Sequence, residues 1–383
     1  MNLELSEEQE AVRELAEDFV AREITPHVVA WDRAESVDKS IVKKLGALGF
    51  LGLTIPEEYG GSGGDHLAYC LVTEELGRGD SSVRGIVSVS LGLVAKTIAS
   101  WGDEEQKRRW LPRLTAGEAV GCFALTEPGT GSDAGNLSTR AVRDGDDYVI
   151  NGSKMFITNG TWADVVLLFA RTGDAPGHRG VSAFLVPADT PGVTRRTVHG
   201  KLGLRGQATA ELVLEDVRVP AATLLGPEGK GFSLAMSALA KGRMSVAAGC
   251  VGIAQAALDA AVRYAGEREQ FGQPIAGHQL VQELISDISV DVDAARMLTW
   301  RVADLVDRGQ DFATAASTAK LFASEAAVRA ANNALQVFGG YGYIDEYPVG
   351  KLVRDARVMT LYEGTSQIQK LIIGRALTGV SAF

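Results

Sequence analysis

The sequence has few cysteines, few prolines and no uncharged apolar run as long as 20 residues. Only three of its 383 residues are cysteine, and 11 are proline. Cys70, Cys122 and Cys250 lie far apart without C-x-x-C spacing, which predicts buried or free thiols in a reducing compartment and argues against a disulfide framework or a zinc site. The nearly uncharged apolar stretch between Arg84 and Lys96 is far shorter than the roughly 20 residues that a membrane span needs. We therefore expect neither a bound metal nor a membrane.

The sequence also lacks a basic excess and an N-terminal targeting signal. The net charge is −10 at pH 7. Nucleic acids and anionic membranes are recognised by clustered Lys and Arg, so neither is an expected partner. The first ten residues contain neither a basic region nor an apolar one, and no signal peptide is expected. These features predict a soluble, cytoplasmic protein.

The hydrophobic pattern divides the chain into three segments and predicts a multi-domain α+β fold. Residues 1–120 have helical spacing, with a capping box at Ser6 and Gln9 and a helix that ends at Pro112. Residues 121–228 have strand spacing, and Asn151-Gly152 predicts a tight hairpin in a mostly antiparallel sheet, a small barrel or sandwich. Residues 229–383 are helical in long pieces. We predict an N-terminal α-helical domain (1–120), a middle antiparallel β domain (121–228) and a C-terminal four-helix bundle (229–383).

A glycine-rich segment, GTGSDAG at 129–135, matches a loose G-x-G-x-x-A pattern. A dinucleotide-binding fingerprint needs a helix after the motif, and here strands flank it, so we reject that interpretation. Small residues still allow a backbone to approach a ligand, and Ser132 with nearby N–H groups could contact a phosphate. From these residues alone, a phosphate loop and a plain connecting loop are equal alternatives.

Five motifs together resemble the acyl-CoA dehydrogenase family, most closely its short-chain branch. They are CFALTEPGTGSD at 122–133, KMFITNG at 154–160, EREQFGQPI at 267–275, QVFGGYGY at 336–343 and LYEGTSQIQ at 361–369. The resemblance covers essentially the whole chain. It implies the same three-domain fold, non-covalent FAD, a homotetramer and an electron-transferring flavoprotein as electron acceptor. The implied reaction removes hydrogens from Cα and Cβ of an acyl-CoA thioester and gives the trans-2-enoyl product.

The resemblance also implies roles for individual residues. Glu363 matches the general base that takes the α-proton, while a hydride passes to flavin N5; the alternative base position of some relatives holds Gly242 here. The implied FAD contacts within one subunit are Phe123, Leu125, Thr126, Gly131, Ser132, Phe156, Ile157, Thr158, Thr365 and Gln367. Those implied across a subunit interface are Arg268, Phe271, Gln279, Gln336, Val337, Gly339 and Gly340. The implied substrate contacts are Ser132, Gly242, Arg243, Gly364 and Arg84.

Arg84 bears on the substrate class. The segment Asp80-Ser81-Ser82-Val83-Arg84 resembles the D-S-x-x-R of glutaryl-CoA dehydrogenases, where the arginine binds the distal carboxylate. A buried cation at the end of an acyl pocket would select a dicarboxylyl thioester. The alternative is an i,i+4 ion pair with Asp80 on a helix surface, worth about 0.3–0.5 kcal/mol.

Three other functions share the motifs. One is a dehydrogenase that acts on an acyl group tethered to a carrier protein. Another is an oxidase or monooxygenase of the same fold, because reactivity with oxygen depends on solvation near the flavin. The third is a non-catalytic binding protein, against which the intact Glu363, Thr158 and Arg268 argue.

Overall fold

The N-terminal segment is a cluster of helices. The computed structural model of the chain describes residues 4–175 and 177–382. The α-helices of this segment are α1 (Glu7–Phe19), α2 (Val28–Ala34), α3 (Ile41–Ala47), α4 (His66–Gly79), α5 (Ser81–Val89), α6 (Lys96–Trp101) and α7 (Glu104–Thr115). A π-helical segment, Ser90–Ala95, joins α5 to α6 without a break. The predicted capping box is confirmed, since the Ser6 hydroxyl accepts from Gln9 N–H at 3.2 Å and the Gln9 side chain accepts from Ser6 N–H at 3.0 Å.

Helix α7 continues through Pro112, so the predicted helix end at that residue is wrong. Proline has no N–H and cannot make the bond to the carbonyl four residues earlier, which normally ends or kinks a helix. Trp110, Leu111 and Leu114 are all at most 4% exposed around this position. Burial of these side chains outweighs the one lost hydrogen bond.

The middle segment forms one eight-stranded sheet. Its strands are β1 (Gly121–Ala124), β2 (Arg140–Asp144), β3 (Asp147–Ile157), β4 (Val165–Arg171), β5 (Val181–Pro187), β6 (Val193–Thr197), β7 (Ala210–Pro220) and β8 (Leu224–Leu225). The strand order is β6-β7-β3-β2-β4-β5-β8, with β1 beside β4. The prediction of a mostly antiparallel sheet is confirmed, and only the pairs β1–β4 and β2–β4 are parallel. The rings of Tyr148 on β3 and Phe184 on β5 lie 5.1 Å apart, so the two halves of the sheet face each other.

The hairpin predicted at Asn151-Gly152 is wrong, because β3 runs straight through both residues. Pairing with β7 shifts register there in a bulge, and Gly152 has a φ of +150°. A Cβ on Gly152 would stand 2.6 Å from the Thr139 hydroxyl, so the glycine serves a close approach within the sheet. The Asn151 amide exchanges hydrogen bonds of 3.0 and 2.8 Å with Asp216. The turn between β2 and β3 contains Gly145 instead, at a φ of +63°.

The C-terminal segment is built on three long antiparallel helices, as predicted. They are α8 (Gly231–Glu267), α9 (Gln279–Asp307) and α10 (Ala313–Phe338), with a short hairpin of β9 (Glu269–Gln270) and β10 (Gln273–Pro274) after α8. The predicted terminal helix is in fact two short ones, α11 (Val349–Met359) and α12 (Ser366–Thr378). The bend between them carries Glu363. The domain boundaries at 120/121 and 228/229 stay predictions.

Two helical runs are long and apolar enough, by length and composition, to cross a membrane. They are Ser81–Trp101 and Gly231–Glu267. Of their most apolar windows, 94% and 67% respectively lie buried inside the structure. This burial is typical of core helices of a folded protein.

Candidate active site

Glu363 lies in the bend between α11 and α12, whose backbone is held from two sides. Gln369 donates to the carbonyl oxygens of Glu363 and Gly364 at 3.1 and 3.0 Å. The Lys320 ammonium, on α10, also donates to the Gly364 carbonyl at 2.8 Å. Thr365 caps α12, accepting from the Ile368 N–H at 3.2 Å. These bonds maintain a φ of +51° at Glu363, a backbone conformation that costs a non-glycine residue about 1–3 kcal/mol.

The Glu363 carboxyl group is enclosed, and neither of its oxygens accepts a hydrogen bond from a described residue. Its Oε2 is buried and has no hydrogen-bond partner among the described residues. Loss of solvent raises the pKa of Glu363 to about 7, although the charges of Arg84, Lys320 and Arg243 act in the opposite direction. A free carboxylate oxygen with a pKa near neutrality is suited to general-base chemistry.

Gly242, on α8, makes room for this carboxyl group. A Cβ on Gly242 would stand 2.1 Å from Glu363 Oε2 and 2.9 Å from Leu93 Cδ2. The next residue, Arg243, is 8% exposed and contacts Ser317 at 3.4 Å. Burial lowers the pKa of Arg243. The structure thus brings together Glu363, Gly364, Gly242 and Arg243, whose roles as base and substrate contacts stay predictions.

Arg84 reaches the same site from α5 and is 1% exposed. Its guanidinium donates to the Ser88 hydroxyl at 2.9 Å and to the Tyr362 hydroxyl, and it approaches Met359 Sδ at 3.9 Å. Its Nε has no partner. In the part of the chain that the structure describes, no carboxylate oxygen lies within 4 Å of this cation. Among neighbouring charges, Arg84 acts most strongly on the pKa of Glu363.

The alternative of a surface ion pair between Asp80 and Arg84 is wrong. Asp80 is itself buried, caps α5 by accepting from Ser82 N–H at 2.5 Å, and pairs with the Lys351 ammonium at 3.2 Å. Lys351 also pairs with Asp355. Arg84, one helical turn further on, points into the interior, away from this cluster. The i,i+4 spacing was compatible with a pair, but a nearer lysine from α11 takes the carboxylate.

The ends of β1 and β3 lie side by side, and β1 packs against the π-helical segment Ser90–Ala95. Met155 N–H donates to the Thr126 carbonyl at 2.9 Å, which ties the segment after β1 to β3. Phe123, Thr126 and Thr158 are half-buried, and Leu125 and Ile157 are buried. The Thr158 hydroxyl donates to the Gln207 side-chain oxygen at 3.3 Å. Phe156 is 64% exposed with a φ of +59°, so it presents an aromatic face outward from the strand.

A buried ion pair between Lys154 and Glu127 holds the ends of β1 and β3 together. Lys154 Nζ contacts Glu127 Oε1 at 2.8 Å and donates to the Leu125 carbonyl at 3.1 Å. Glu127 also accepts from the N–H and hydroxyl groups of Ser138 and Thr139 at 2.6 to 2.9 Å. The segment that follows it contains Gly131 and Ser132, both exposed. A Cβ on Gly131 would meet nothing within 4 Å, so this backbone is open to a ligand.

The remaining implied FAD residues collect at the other end of α10. Arg268, Val337, Gly339 and Gly340 line a cavity of about 540 Å³. Gln336 lies beside it on α10; Phe271 is in the β9–β10 hairpin, and Gln279 begins α9. Sixteen residues of helix separate Lys320, at Glu363, from Gln336, or about 24 Å at 1.5 Å per residue. Arg268 lies 5.6 Å from the Tyr341 ring and forms no ion pair with Glu267 or Glu269 among the described residues.

Thr365 and Gln367 differ in their surroundings. Thr365 is half-buried at the start of α12, two residues after Glu363, whereas Gln367 is exposed. Neither side chain lines the cavity at the other end of α10. The implied FAD residues therefore do not share one cavity in this chain: those around Arg268 line it, and those on β1, β3 and α12 do not.

Several residues at this site were not predicted. Ser88 stands four residues after Arg84, so helical spacing alone could have indicated it. Tyr362 and Gln369 lie within the motif around Glu363, and their neighbourhood was the signal. Lys320 meets Gly364 from 44 positions away, and nothing in the local sequence points to it. Gln207 meets Thr158 from 49 positions away; the sequence marks it only as a departure from the Ser-x-Thr that the family usually has at 207–209.

Family models match all three segments. The N-terminal, middle and C-terminal domains of acyl-CoA dehydrogenase match residues 6–118, 122–217 and 229–378. The chain belongs to the acyl-CoA dehydrogenase family and is an FAD-dependent oxidoreductase. The human mitochondrial short-chain specific acyl-CoA dehydrogenase is 44% identical over 372 residues, which cover 97% of this chain and 90% of the human protein. The resemblance to the short-chain branch is thereby confirmed.

Two solved structures have closely similar folds. Butyryl-CoA dehydrogenase from Megasphaera elsdenii has a TM-score of 0.96 and 41% identity, covering 98% of this chain and 100% of that chain. A glutaryl-CoA dehydrogenase from Mycobacterium smegmatis, in complex with FADH2, has a TM-score of 0.95 and 37% identity, covering 99% and 96%. These comparisons confirm the fold and the cofactor predicted from the motifs.

The residues near Glu363 fit FAD by their chemistry. An exposed aromatic ring at Phe156 offers a face for a planar ring system. The hydroxyl of Thr158 and the open backbone at Gly131 offer polar contacts. Glu363 Oε2 is buried and has no partner among the described residues. Phe123, Leu125, Thr126, Ser132 and Ile157 complete this edge.

Proposed function

We propose that this enzyme dehydrogenates a short dicarboxylyl-CoA thioester between Cα and Cβ, with Glu363 as the base. The observation that carries the proposal is Arg84, a fully buried cation beside the base with no carboxylate within 4 Å among the described residues. A buried arginine without a hydrogen-bonded anion is costly, because the more distant charge of Glu363 repays only part of its desolvation. A substrate carboxylate at the far end of the acyl chain would repay it through charge-assisted hydrogen bonds.

Glu363 takes the proton from Cα of the thioester. Its Oε2 is free and buried, and water excluded from the site keeps the carboxylate basic. Hydrogen bonds to the carbonyl oxygens of Glu363 and Gly364 fix the backbone of the bend, and the fixed backbone limits the positions that Oε2 can take. FAD, when bound, accepts the hydride that leaves Cβ. The two C–H bonds break, and a trans C=C bond forms between the same carbons.

An anaerobic titration tests the substrate class. Flavin absorbance is recorded while butyryl-, octanoyl-, glutaryl- or adipyl-CoA is added. Rapid bleaching with the dicarboxylyl thioesters is expected. Bleaching only with butyryl- or octanoyl-CoA would contradict the dicarboxylate proposal. A yellow protein that no CoA ester bleaches would point instead to a carrier-protein substrate or to different flavin chemistry.

Substitution of Glu363 tests the base. Glu363→Gln keeps the shape of the side chain and removes its basicity, so we expect the bleaching rate to fall about 10³–10⁴-fold. FAD content is expected to stay at the wild-type level. A variant that bleaches at the wild-type rate would show that another group takes the proton.

Substitution of Arg84 tests the selectivity. Arg84→Met fills much of the same volume without charge, and Arg329→Ala, at an exposed arginine on α10, is the control. We expect the ratio of kcat/KM for glutaryl-CoA over butyryl-CoA to fall by at least tenfold in Arg84→Met only. An unchanged ratio would refute the anion-binding role. Use of a ratio cancels any loss of folded enzyme.

We further propose a homotetramer whose FAD site is completed by a neighbouring subunit. The support is the group around Arg268, about 24 Å along α10 from Lys320. Three large apolar side chains near this group are highly exposed, namely Phe271 at 94%, Tyr343 at 88% and Leu280 at 74%. Exposed apolar side chains of this kind are typical of a surface that a neighbouring subunit covers. Arg268→Ala is expected to lower both FAD retention and the oligomer mass measured by light scattering.

An electron-transferring flavoprotein as acceptor would reoxidise the bleached enzyme, whereas reoxidation by air alone would indicate an oxidase.

A further inference from the structure

A chain of buried hydroxyl groups runs behind Arg84. Tyr69 OH, on α4, donates to the Ser245 hydroxyl on α8 at 2.8 Å. Ser245 and Ser88 hydroxyls lie 2.7 Å apart, and either can be the donor. Arg84 donates to the same Ser88 oxygen at 2.9 Å. Tyr69, Ser245 and Ser88 are each at most 2% exposed, so no solvent competes for these bonds.

This series of three hydroxyl groups contains one more hydroxyl hydrogen than the hydrogen bonds within it use. Three hydroxyl groups supply three hydrogens, and only two contacts join them. When Tyr69 donates to Ser245 and Ser245 donates to Ser88, the Ser88 hydrogen is left for another acceptor. Arg84 cannot accept it, because a guanidinium has only donors. An anion that contacts Arg84 would be the acceptor that selects this orientation.

A buried amine packs on the Tyr69 end of this series of hydroxyl groups. Lys96 Nζ lies 4.1 Å from the centroid of the Tyr69 ring, and Lys96 is 7% exposed. Burial lowers the pKa of Lys96 to about 7, so the ammonium and the neutral amine are both populated near neutral pH. The contact helps to hold the Tyr69 ring, and with it the Tyr69 hydroxyl, in place.

We propose that Ser245 and Tyr69 are positioning residues that orient the Ser88 hydroxyl toward the ω-carboxylate of the substrate. They act through Ser88 and do not themselves contact the ligand. The inference rests on the dicarboxylyl-CoA function proposed above. It adds that Ser245 on α8, three residues and slightly less than one helical turn from the thioester-side Gly242, sets selectivity at the far end of the acyl chain.

The test compares variants by the ratio of kcat/KM for glutaryl-CoA over butyryl-CoA. Ser245→Ala is expected to lower the ratio roughly five- to tenfold, through a higher KM for glutaryl-CoA at unchanged kcat, because one hydrogen bond to an anion is weakened. Tyr69→Phe keeps the ring over Lys96 and removes only the hydroxyl, so a fall in the same direction is expected. Ser324→Ala is the matched control: this buried serine, on α10, bonds only its own helix at Leu321.

A double variant separates a relay from general loosening. Because Tyr69 acts through Ser245, Tyr69→Phe is expected to change nothing further in the Ser245→Ala background. Additive effects, or equal losses for both substrates, would overturn the proposal. A lowered ratio in Arg84→Met with an unchanged ratio in Ser245→Ala would overturn it while the proposed function stands. No wild-type preference for the dicarboxylyl thioester would overturn both.

Discussion

Adding one methyl group at Gly242 is expected to disable the base without touching it chemically. In Gly242→Ala the new Cβ would stand 2.1 Å from Glu363 Oε2, while ordinary contact begins at about 3.4 Å. The carboxyl group must withdraw by about 1.3 Å, the difference between these distances. The Leu93 side chain, 2.9 Å from the same point, can yield because its terminal methyl is flexible. The fold is not at risk, since alanine is favoured over glycine in a helix by about 1 kcal/mol.

The size of the effect follows from the geometry of proton transfer. A misplacement of about 1 Å at a reacting group costs about 100-fold in rate. At 1.36 kcal/mol per factor of ten, that is about 2.7 kcal/mol of activation free energy. We expect the rate of flavin bleaching at saturating substrate to fall about 100-fold, less than in Glu363→Gln, because the carboxylate is displaced and not removed.

Stopped-flow absorbance under anaerobic conditions measures this rate directly. Gly266→Ala, on the same helix, is the matched control, since a Cβ there would meet nothing within 4 Å. Both variants are expected to retain FAD and an unchanged or slightly raised melting temperature. Bleaching of Gly242→Ala within about threefold of Gly266→Ala would refute the reasoning, since the reacting base could not then lie against α8 at this point.

Two further predictions concern charge. Because Glu363 has a pKa of about 7 and acts deprotonated, kcat/KM of the free enzyme is expected to rise with pH through a midpoint near 7. The Lys320 charge lowers the pKa of Glu363, so Lys320→Met is expected to move that midpoint to higher pH, whereas Lys230→Met, at an exposed lysine, leaves it in place. An unmoved midpoint in Lys320→Met would contradict this electrostatic coupling. In the β domain, Glu127→Ala leaves the buried Lys154 ammonium without its carboxylate partner. The free energy of unfolding, measured with denaturant, is expected to fall by about 3–5 kcal/mol. Glu211→Ala, which breaks only a long contact with Arg196, is expected to cost under about 1 kcal/mol. Burial opposes the charged form of Glu127, but Lys154 and the hydrogen bonds to the carboxylate lower the pKa of Glu127 to about 2. The contribution of Glu127 to the free energy of unfolding is therefore full above about pH 4.5 and is lost as the pH falls toward 2.

Local sequence patterns predicted elements wherever a single physical cause dominates. The capping box at Ser6 depends only on residues three apart, and it formed. The predictions at Pro112 and Asn151-Gly152 failed for a shared reason. In each case a local preference, for a helix end or a turn, was outweighed by contacts with distant parts of the chain. Burial around Trp110 and the approach of Thr139 to Gly152 have no signature in the neighbouring residues.

The same distinction between local sequence and distant contacts applies to the candidate active site. Motif resemblance indicated Glu363, but the cause of its raised pKa is enclosure by helices from three parts of the chain. The Asp80–Arg84 spacing allowed either a surface pair or a buried cation. That choice depended on Lys351, which is 271 positions from Asp80 in the sequence and 3.2 Å from it in the structure.

By itself, the sequence determined the family, the order of helical and β segments and a candidate base, because these depend on residue types at fixed spacing. Only the tertiary structure decided what surrounds Glu363. It set Gly242 against the carboxyl group, aligned Tyr69, Ser245 and Ser88 behind Arg84, and placed none of the described carboxylate oxygens within 4 Å of that arginine. Hydrogen bonding and desolvation act over a few ångströms in space, whatever the separation along the chain, so the surroundings of Glu363 are a property of packing.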